Sequence, residues 1–386
     1  MKVLYVLSLD DNFGAPRALM EMIQTLKKQY NITPVVLTPL KNKINDECDK
    51  LNIENYHILY GTSMYRKGDK LLNVLRYLLY KYGNIVSLRL IKNKINFDEI
   101  DFIHSNNSVI DFGYRLSKKY NKKHFWHLRE FSDLDFNYYP FEKKYYSKMN
   151  ESINIGISQT IIDAWKKKGL RNINLVYDGL DFSSIKTKKK YIKSEKIKMI
   201  FIGSICATKG QFNFIKTFSK IDRKVINNFE LDIYGSGFKE YINRIKKYVK
   251  DNNLEDIINL KGYENNIRNI IPNYDIGIVN SKCEAFGRVT IEYMSSGLLV
   301  LACSTGSNIE LIKNKKTGLL FKRNDANSLE DALKLIINNN KLVKEISIEG
   351  RKYSTNKYSK EENAKNVYKL YLKEDNKWFI KRWRVD

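Results

Sequence analysis

Two carboxylates, Glu284 and Glu292, stand with seven residues between them in the run Ser281-Lys-Cys-Glu-Ala-Phe-Gly-Arg-Val-Thr-Ile-Glu-Tyr-Met-Ser-Ser-Gly297. The apolar run Tyr274-Asp-Ile-Gly-Ile-Val-Asn280 leads in and reads as a strand, and a helical pattern leads out. Glu284 therefore belongs on a loop at a strand's carboxyl end, and Glu292 near the first turns of the next helix. Gly287 lets the intervening backbone approach a ligand closely. The free N–H groups and positive dipole end of that helix favour an anion such as a phosphate. Arg288, directly after Gly287, has the reach to join them. Carboxylates for hydroxyls beside a helix start for phosphates suit a nucleotide sugar.

A second loop lies upstream, in Phe201-Ile-Gly203-Ser204-Ile-Cys-Ala-Thr-Lys209-Gly210. It joins a predicted strand to a predicted helix. Thr208 and Gln211 have the spacing of a capping box, which puts Lys209 at the first helical position. A cation there is mildly unfavourable for the helix itself. Together with exposed N–H groups it makes a place for a diphosphate.

The first run resembles the Glu-x7-Glu motif of the glycosyltransferase family 4 enzymes. Further blocks resemble that family in order: Val176–Asp181, Phe201–Gly210, Gly297–Cys303, Thr305–Ile312 and Thr317–Phe321. The resemblance covers nearly the whole chain. It implies an α/β protein of the GT-B fold, with two Rossmann-like parallel-sheet domains facing a central cleft. It also implies retaining transfer of a sugar from a nucleotide-sugar donor to a glycan or lipid-linked acceptor. The setting it suggests is surface polysaccharide biosynthesis.

Glu284 would then contact donor-sugar hydroxyls and Glu292 the ribose hydroxyls, with Gly203, Ser204, Lys209, Ala285, Phe286, Gly287 and Arg288 completing the donor site. The family commonly carries an arginine where this chain has Ser204, a donor without charge, which either weakens donor binding or shifts the task to Arg288. His127, in Phe125-Trp-His-Leu-Arg-Glu-Phe131 after a predicted strand, matches the family's histidine beside the transferred sugar. With Glu284 and Lys209 it makes up the expected catalytic set. Arg129 and Glu130 read either as a fixing pair or as acceptor contacts. In the first loop, Ser8–Arg17, the family has a glycine pair of which Gly14-Ala15 keeps the first. Gly14 is expected to face the cleft, and Arg17 to join Arg129 on the acceptor side. The resemblance implies no metal and no cofactor, the nucleotide sugar being a substrate.

The remaining patterns are weaker. Asp133-Leu-Asp135 has the form of an Asp-x-Asp metal motif without strand–loop context, and Asp10-Asp11 is no better. Cys48, Cys206, Cys283 and Cys303 form no CxxC pair, so they read as free thiols.

Strands and helices alternate throughout, which predicts parallel sheets with crossover helices. Val3–Leu7, Thr33–Leu37, Phe102–His104 and Ile153–Ile157 read as strands of one unit. Met199–Gly203, Leu231–Tyr234, Ile258–Leu260, Ile276–Val279 and Leu298–Ala302 read as strands of another. The expected division is an acceptor-binding domain 1–182, a cationic linker 183–197, a donor-binding domain 198–360, and a helix and tail 361–386 crossing back to the first domain. In such sheets ligands sit beyond the carboxyl ends of the strands.

With 386 residues, 43% of them hydrophobic and 12% aromatic, the chain can bury a large core. Met1-Lys-Val-Leu-Tyr-Val-Leu-Ser reads as a first buried strand rather than a signal peptide. No apolar run reaches the roughly 18–20 residues of a membrane span. The expectation is a cytoplasmic protein, with the inner face of the membrane as an alternative site of work. The formal net charge of +25 suits an anionic partner, but no recognition helix or aromatic RNA-binding signature accompanies it, so a specific nucleic-acid partner is not expected. The basic, Leu-rich stretch Arg66–Lys94 reads as a core helix with a solvated face or as a patch lying on anionic lipid. A noncatalytic partner subunit that keeps the fold is the alternative to an enzyme, and Ser204 motivates it.

Overall fold

The computed structural model describes residues 1–8, 14–188 and 195–382, with 376–382 as backbone only. Asp10 and Asp11, part of the linker (189–194) and the end of the tail (383–386) lie outside the described residues. The chain forms two compact units, Met1–Leu180 with Lys360–Asp386, and Asp181–Ser359.

The first unit is built on parallel strands β1 (Lys2–Val6), β2 (Thr33–Thr38), β3 (Glu54–His57), β5 (Phe102–Ser105), β6 (Lys123–Leu128), β8 (Ile153–Gly156) and β9 (Ile173–Leu175), in the order β3-β2-β1-β5-β6-β8-β9. The short strands β4 (Met64–Arg66) and β7 (Tyr138–Pro140) pair antiparallel beside it. After Lys2, β1 is an apolar run, Val3–Val6, buried on both faces, as a central parallel strand covered by helices must be. The helix Gly14–Tyr30 turns Leu19, Ile23 and Leu26 into the core and ends on Lys27 and Lys28, which suit the negative end of its dipole. The C-terminal helix Lys360–Arg382 packs on it, burying Ala364, Val367 and Tyr371 in the same cluster.

The second unit has β10 (Ile197–Ile202), β11 (Phe229–Tyr234), β12 (Ile258–Gly262), β13 (Ile276–Val279), β14 (Leu299–Cys303) and β15 (Leu319–Phe321), all parallel, in the order β12-β11-β10-β13-β14-β15. The order reverses between β10 and β13. In open sheets of this kind such a reversal is the place, at the strands' carboxyl ends, where a crevice forms. The core beneath it is aromatic and aliphatic, with Phe201, Phe214, Phe218, Ile233, Ile278 and Leu301 buried together.

Two expectations shift. The linker is not separate at its start: the Lys188 ammonium binds the Asp275 carboxylate, and its N–H donates to the Ser296 carbonyl at 2.9 Å. That stretch therefore travels with the second unit. His127 lies within β6, not after a strand. Among the described residues no helix is long and apolar enough to cross a membrane.

Candidate functional site

In the second unit the loops after β10 and β13 are tied to each other. The Lys282 N–H donates to the Thr208 carbonyl at 2.7 Å, and the Asn280 side-chain amide donates to the Gly210 carbonyl at 2.9 Å. Gly210 makes this approach possible. Its φ is +76°, and a Cβ there would sit 2.2 Å from the Asn280 carbonyl oxygen. Thr208 and Gln211 do not form the expected capping box. The helix is Gln211–Phe218, its cap position is Gly210, and no side chain caps it. Gln211 instead turns its side chain back into the loop, accepting from the Cys206 N–H at 3.3 Å and donating to the Ser204 carbonyl at 3.0 Å. Lys209 is thus a loop residue, just ahead of the helix.

The tie places Lys209 against Glu284. The ammonium lies 3.1 and 3.0 Å from the two carboxylate oxygens. Burial opposes the lysine's charge, but the Glu284 carboxylate outweighs it by charge and hydrogen bond, and its pKa is held above the ordinary value. The pair stays open to solvent, with the lysine side chain 36% exposed. The loop from Asn280 ends at Gly287, φ +86°, and the helix Arg288–Ser295 starts there, again with no side-chain cap. Two helix N-termini therefore present backbone N–H groups at the edge of this crevice.

Glu292 sits one turn into that helix, on the face of Arg288. Its Oε1 accepts from Nε and Nη2 of Arg268 at 3.1 and 2.8 Å, and Nη1 of the same guanidinium donates to the Ser184 hydroxyl at 2.7 Å. Arg268 and Ser184 were not foreseen, since a lone arginine in Asn266-Ile-Arg-Asn carries no spacing signal. Phe286 departs from expectation as well. Its ring is buried edge-on against Tyr358, so the ring anchors the loop. Gly203 and Ser204 stand at the mouth of the first loop, with Ser204 exposed, and Ala285 is half-buried.

In the first unit the expected residues divide. β5 and β6 put His104 and His127 on one face of the sheet, where His104 Nε2 lies 3.1 Å from His127 Nδ1. His104 Nδ1 is 2.6 Å from the Tyr371 hydroxyl of the C-terminal helix. Both rings are completely buried, and burial first and the Arg129 charge second hold them well below the usual histidine range. They are neutral imidazoles. His127 Nε2 is buried without a hydrogen-bond partner among the described residues. The resemblance expects this ring beside the transferred sugar, and in the structure it has no exposed surface.

Arg129 and Glu130 are not a fixing pair, because neighbours in an extended chain point to opposite sides. Arg129 binds the Asp178 carboxylate in the interior, and its Nε donates to Asn106 Oδ1 at 2.8 Å. Glu130 accepts from the N–H and the hydroxyl of Ser108 at 2.5 and 2.6 Å. Burial raises its pKa from the ordinary value near 4.5 to about 7. Glu130 also lines a pocket with Leu7, Ala15, Pro16, Asn106 and Tyr138, at the carboxyl ends of β1, β5 and β6. Arg17 is not among its lining residues. It is exposed on its helix and pairs with Glu21 at 3.4 Å, one turn on. Gly14 is the exposed first residue of that helix.

Asp133 is bound by Lys168, and Asp135 accepts from the Phe131 N–H at 2.8 Å. These are structural contacts for the two aspartates of the Asp-x-Asp form. None of the four cysteines is in a disulfide.

The comparisons with known proteins follow the same division. Residues 183–353, nearly all of the second unit, match the family model described as glycosyl transferases group 1. An uncharacterized glycosyltransferase of Methanocaldococcus jannaschii is 25% identical over 287 residues, covering 72% of this chain and 77% of the relative. The poly(ribitol-phosphate) alpha-N-acetylglucosaminyltransferase of Staphylococcus aureus is 24% identical over 254 residues, 66% of this chain and 50% of that one. Among solved structures, Anabaena HepE in complex with UDP superposes with a TM-score of 0.78 at 16% identity, covering 97% of this chain and 100% of that one. A glycosyltransferase from Rickettsia africae gives 0.76 at 18%, covering 96% and 98%. The structural likeness shows the fold, an α/β protein of two parallel-sheet Rossmann-like units. The second unit thus matches the group 1 glycosyl transferase model, and the chain as a whole has the fold of the GT-B glycosyltransferases.

Proposed function

We propose that this chain is a retaining glycosyltransferase that moves a sugar from a nucleotide-sugar donor to a glycan or lipid-linked acceptor in surface polysaccharide assembly. One observation carries the reading: Lys209 and Glu284 meet on loops that also open two uncapped helix starts. Cation and N–H groups suit a diphosphate, and the carboxylates suit sugar hydroxyls. The relatives' names support the setting, since they include a capsular polysaccharide glycosyltransferase of Staphylococcus aureus and a galactosyltransferase of Escherichia coli acting on a diphosphoundecaprenol-linked sugar.

In this mechanism the leaving nucleoside diphosphate gains charge as the glycosidic bond breaks. Lys209, the helix N–H groups and Arg288 stabilise it. The acceptor hydroxyl attacks on the face the leaving group departs from, and the leaving phosphate oxygen takes its proton. The transferred sugar therefore keeps its anomeric configuration. Glu284 must release part of its hold on Lys209 as the diphosphate arrives, which frees the carboxylate for sugar hydroxyls. Glu292, its Oε1 fixed by Arg268, offers Oε2 to the ribose. Glu130 would receive an acceptor hydroxyl in the first unit's pocket.

The test is a thermal-shift screen of nucleotide sugars on wild type, Lys209→Ala and Glu292→Ala, followed by anomeric analysis of the product and a repeat in chelator. Stabilisation of wild type and its loss in both variants is expected, with activity surviving the chelator. No response from wild type, or equal responses from all three, would overturn the assignment. The exposed Ser204 favours one second reading, a noncatalytic partner subunit. Donor hydrolysis or transfer by the purified chain eliminates it.

A further inference from the structure

The segment Lys70–Asn93 buries Tyr80 and Ile91 but leaves most of its other large apolar side chains outside. It runs as helix Lys70–Leu78, a π turn Leu79–Gly83, helix Asn84–Leu90 and a 3-10 turn Ile91–Asn93. Much of the face it turns to the protein is polar. Asn73 exchanges hydrogen bonds with both backbone groups of Arg66 at 2.9 and 2.7 Å, and Arg76 donates to Asp69 at 3.2 Å. The Tyr80 hydroxyl donates to Glu142 at 2.7 Å, Asn84 accepts from the Gly61 N–H at 2.8 Å, and the Ser87 hydroxyl donates to the Leu59 carbonyl.

The opposite face is apolar and open. Leu71 is 81% exposed and Leu75 61%, and Leu78, Tyr82 and Val86 continue the stripe at helical spacing. No residue of Lys70–Leu78 is buried. A chain meant to end at water on this side would put its leucines inward and its asparagines outward. A contiguous exposed apolar stripe marks an interaction surface.

Charge identifies the occupant. Between Arg66 and Lys94 there are eight lysines and arginines and one acid, Asp69. A second copy of this face would set cations against cations. An anionic bilayer satisfies both features at once, because acyl chains take the leucines while headgroups pair with the ammonium and guanidinium groups. Lys81 lies 5.7 and 5.5 Å from the ring centres of Tyr77 and Tyr82, an aromatic–cationic grouping suited to the headgroup layer.

We propose that Lys70–Asn93 lies flat in the surface of an anionic membrane, with Leu71, Leu75 and Leu78 among the acyl chains. The face itself carries this inference, independently of the transferase reading. The full chain is sedimented with phosphatidylcholine vesicles, with and without phosphatidylglycerol. Binding to the anionic vesicles is expected, weakened at least about tenfold by Leu71→Ser/Leu75→Ser. It should also weaken with Lys81→Glu/Arg89→Glu, and the serine pair should resist added salt no better than wild type. These side chains are exposed, so unchanged thermal unfolding and an unchanged nucleotide-sugar shift are expected in both variants. Absence of vesicle binding by wild type, unaltered binding by the serine pair, or a wild-type dimer that the serine pair dissolves would each overturn the proposal.

Discussion

The carboxyl ends of the two sheets carry similar residue types and use them in opposite ways. In the second unit, Lys209 and Glu284 form a partly exposed pair on loops, with no side-chain cap on the helix starts beside them. In the first, Arg129 and Asp178 are almost fully buried, and the two histidines nearby are kept neutral. An open ion pair contributes little to stability and can exchange one partner for a ligand at small cost. A buried pair cannot be opened without stranding a charge. Charge is therefore left partly exposed on loops in the second unit and committed to the backbone's position in the first.

The largest effect should come from breaking the buried side. Asp178→Ala leaves the Arg129 guanidinium uncompensated and should destabilise the first unit by about 3–5 kcal/mol in urea unfolding. A loss within about 1 kcal/mol would mean the pair is not committed as described. Lys209→Ala should leave unfolding nearly unchanged and lower transfer about 10²–10³-fold. If stability fell instead, the open pair would be structural after all.

Acid–base linkage sharpens the contrast. Glu130 titrates near 7 in the folded chain and near 4.5 unfolded, so the folded state holds the extra proton between those values. Its contribution is present below about pH 4.5 and lost as pH rises through about 7. The neutral histidines act in the other direction. The unfolded chain takes up their protons below about pH 6.5, so their contribution is present above that value and lost as pH falls. Glu130→Gln removes only the first term. Its stability relative to wild type should rise across pH 4.5–7, reaching about 1–3 kcal/mol at pH 8. A flat difference would show that Glu130 is ionised throughout.

Two smaller changes close the series. Ser204→Arg adds a cation at the exposed mouth of the donor loop and should tighten nucleoside-diphosphate binding about tenfold by calorimetry. Arg17→Ala removes an exposed pair one helical turn apart and should shift stability by no more than about 0.5 kcal/mol. A marked loss of acceptor affinity in Arg17→Ala would restore the acceptor role that the sequence suggested for it.

Local pattern made the strands and the loops after β10 and β13 legible. Buried runs such as Lys2–Val6 and Ile276–Val279 need only their own apolar side chains to declare themselves. Strand, turn and helix start are also local, which is why the neighbourhoods of Lys209, Glu284 and Glu292 could be placed on their elements. Pairing was not legible. Arg268 reaches Glu292 across 24 residues and Arg129 reaches Asp178 across 49, and no periodicity encodes such partners. The expected capping box failed for the same reason. Gly210 is fixed by its contact with Asn280, seventy residues away, and that contact overrides the local signal of Thr208 and Gln211.

The sequence by itself determined that this is an α/β chain with Glu284 on a strand-end loop and Glu292 in the helix that follows, because secondary structure follows from side-chain period and turn chemistry. Tertiary structure alone decided which charges stay exposed, which are locked inside, and that the leucines of Lys70–Leu78 face outward. Those outcomes depend on what each surface meets across the fold, and burial and ion pairing are properties of neighbours that the chain brings together only when it folds.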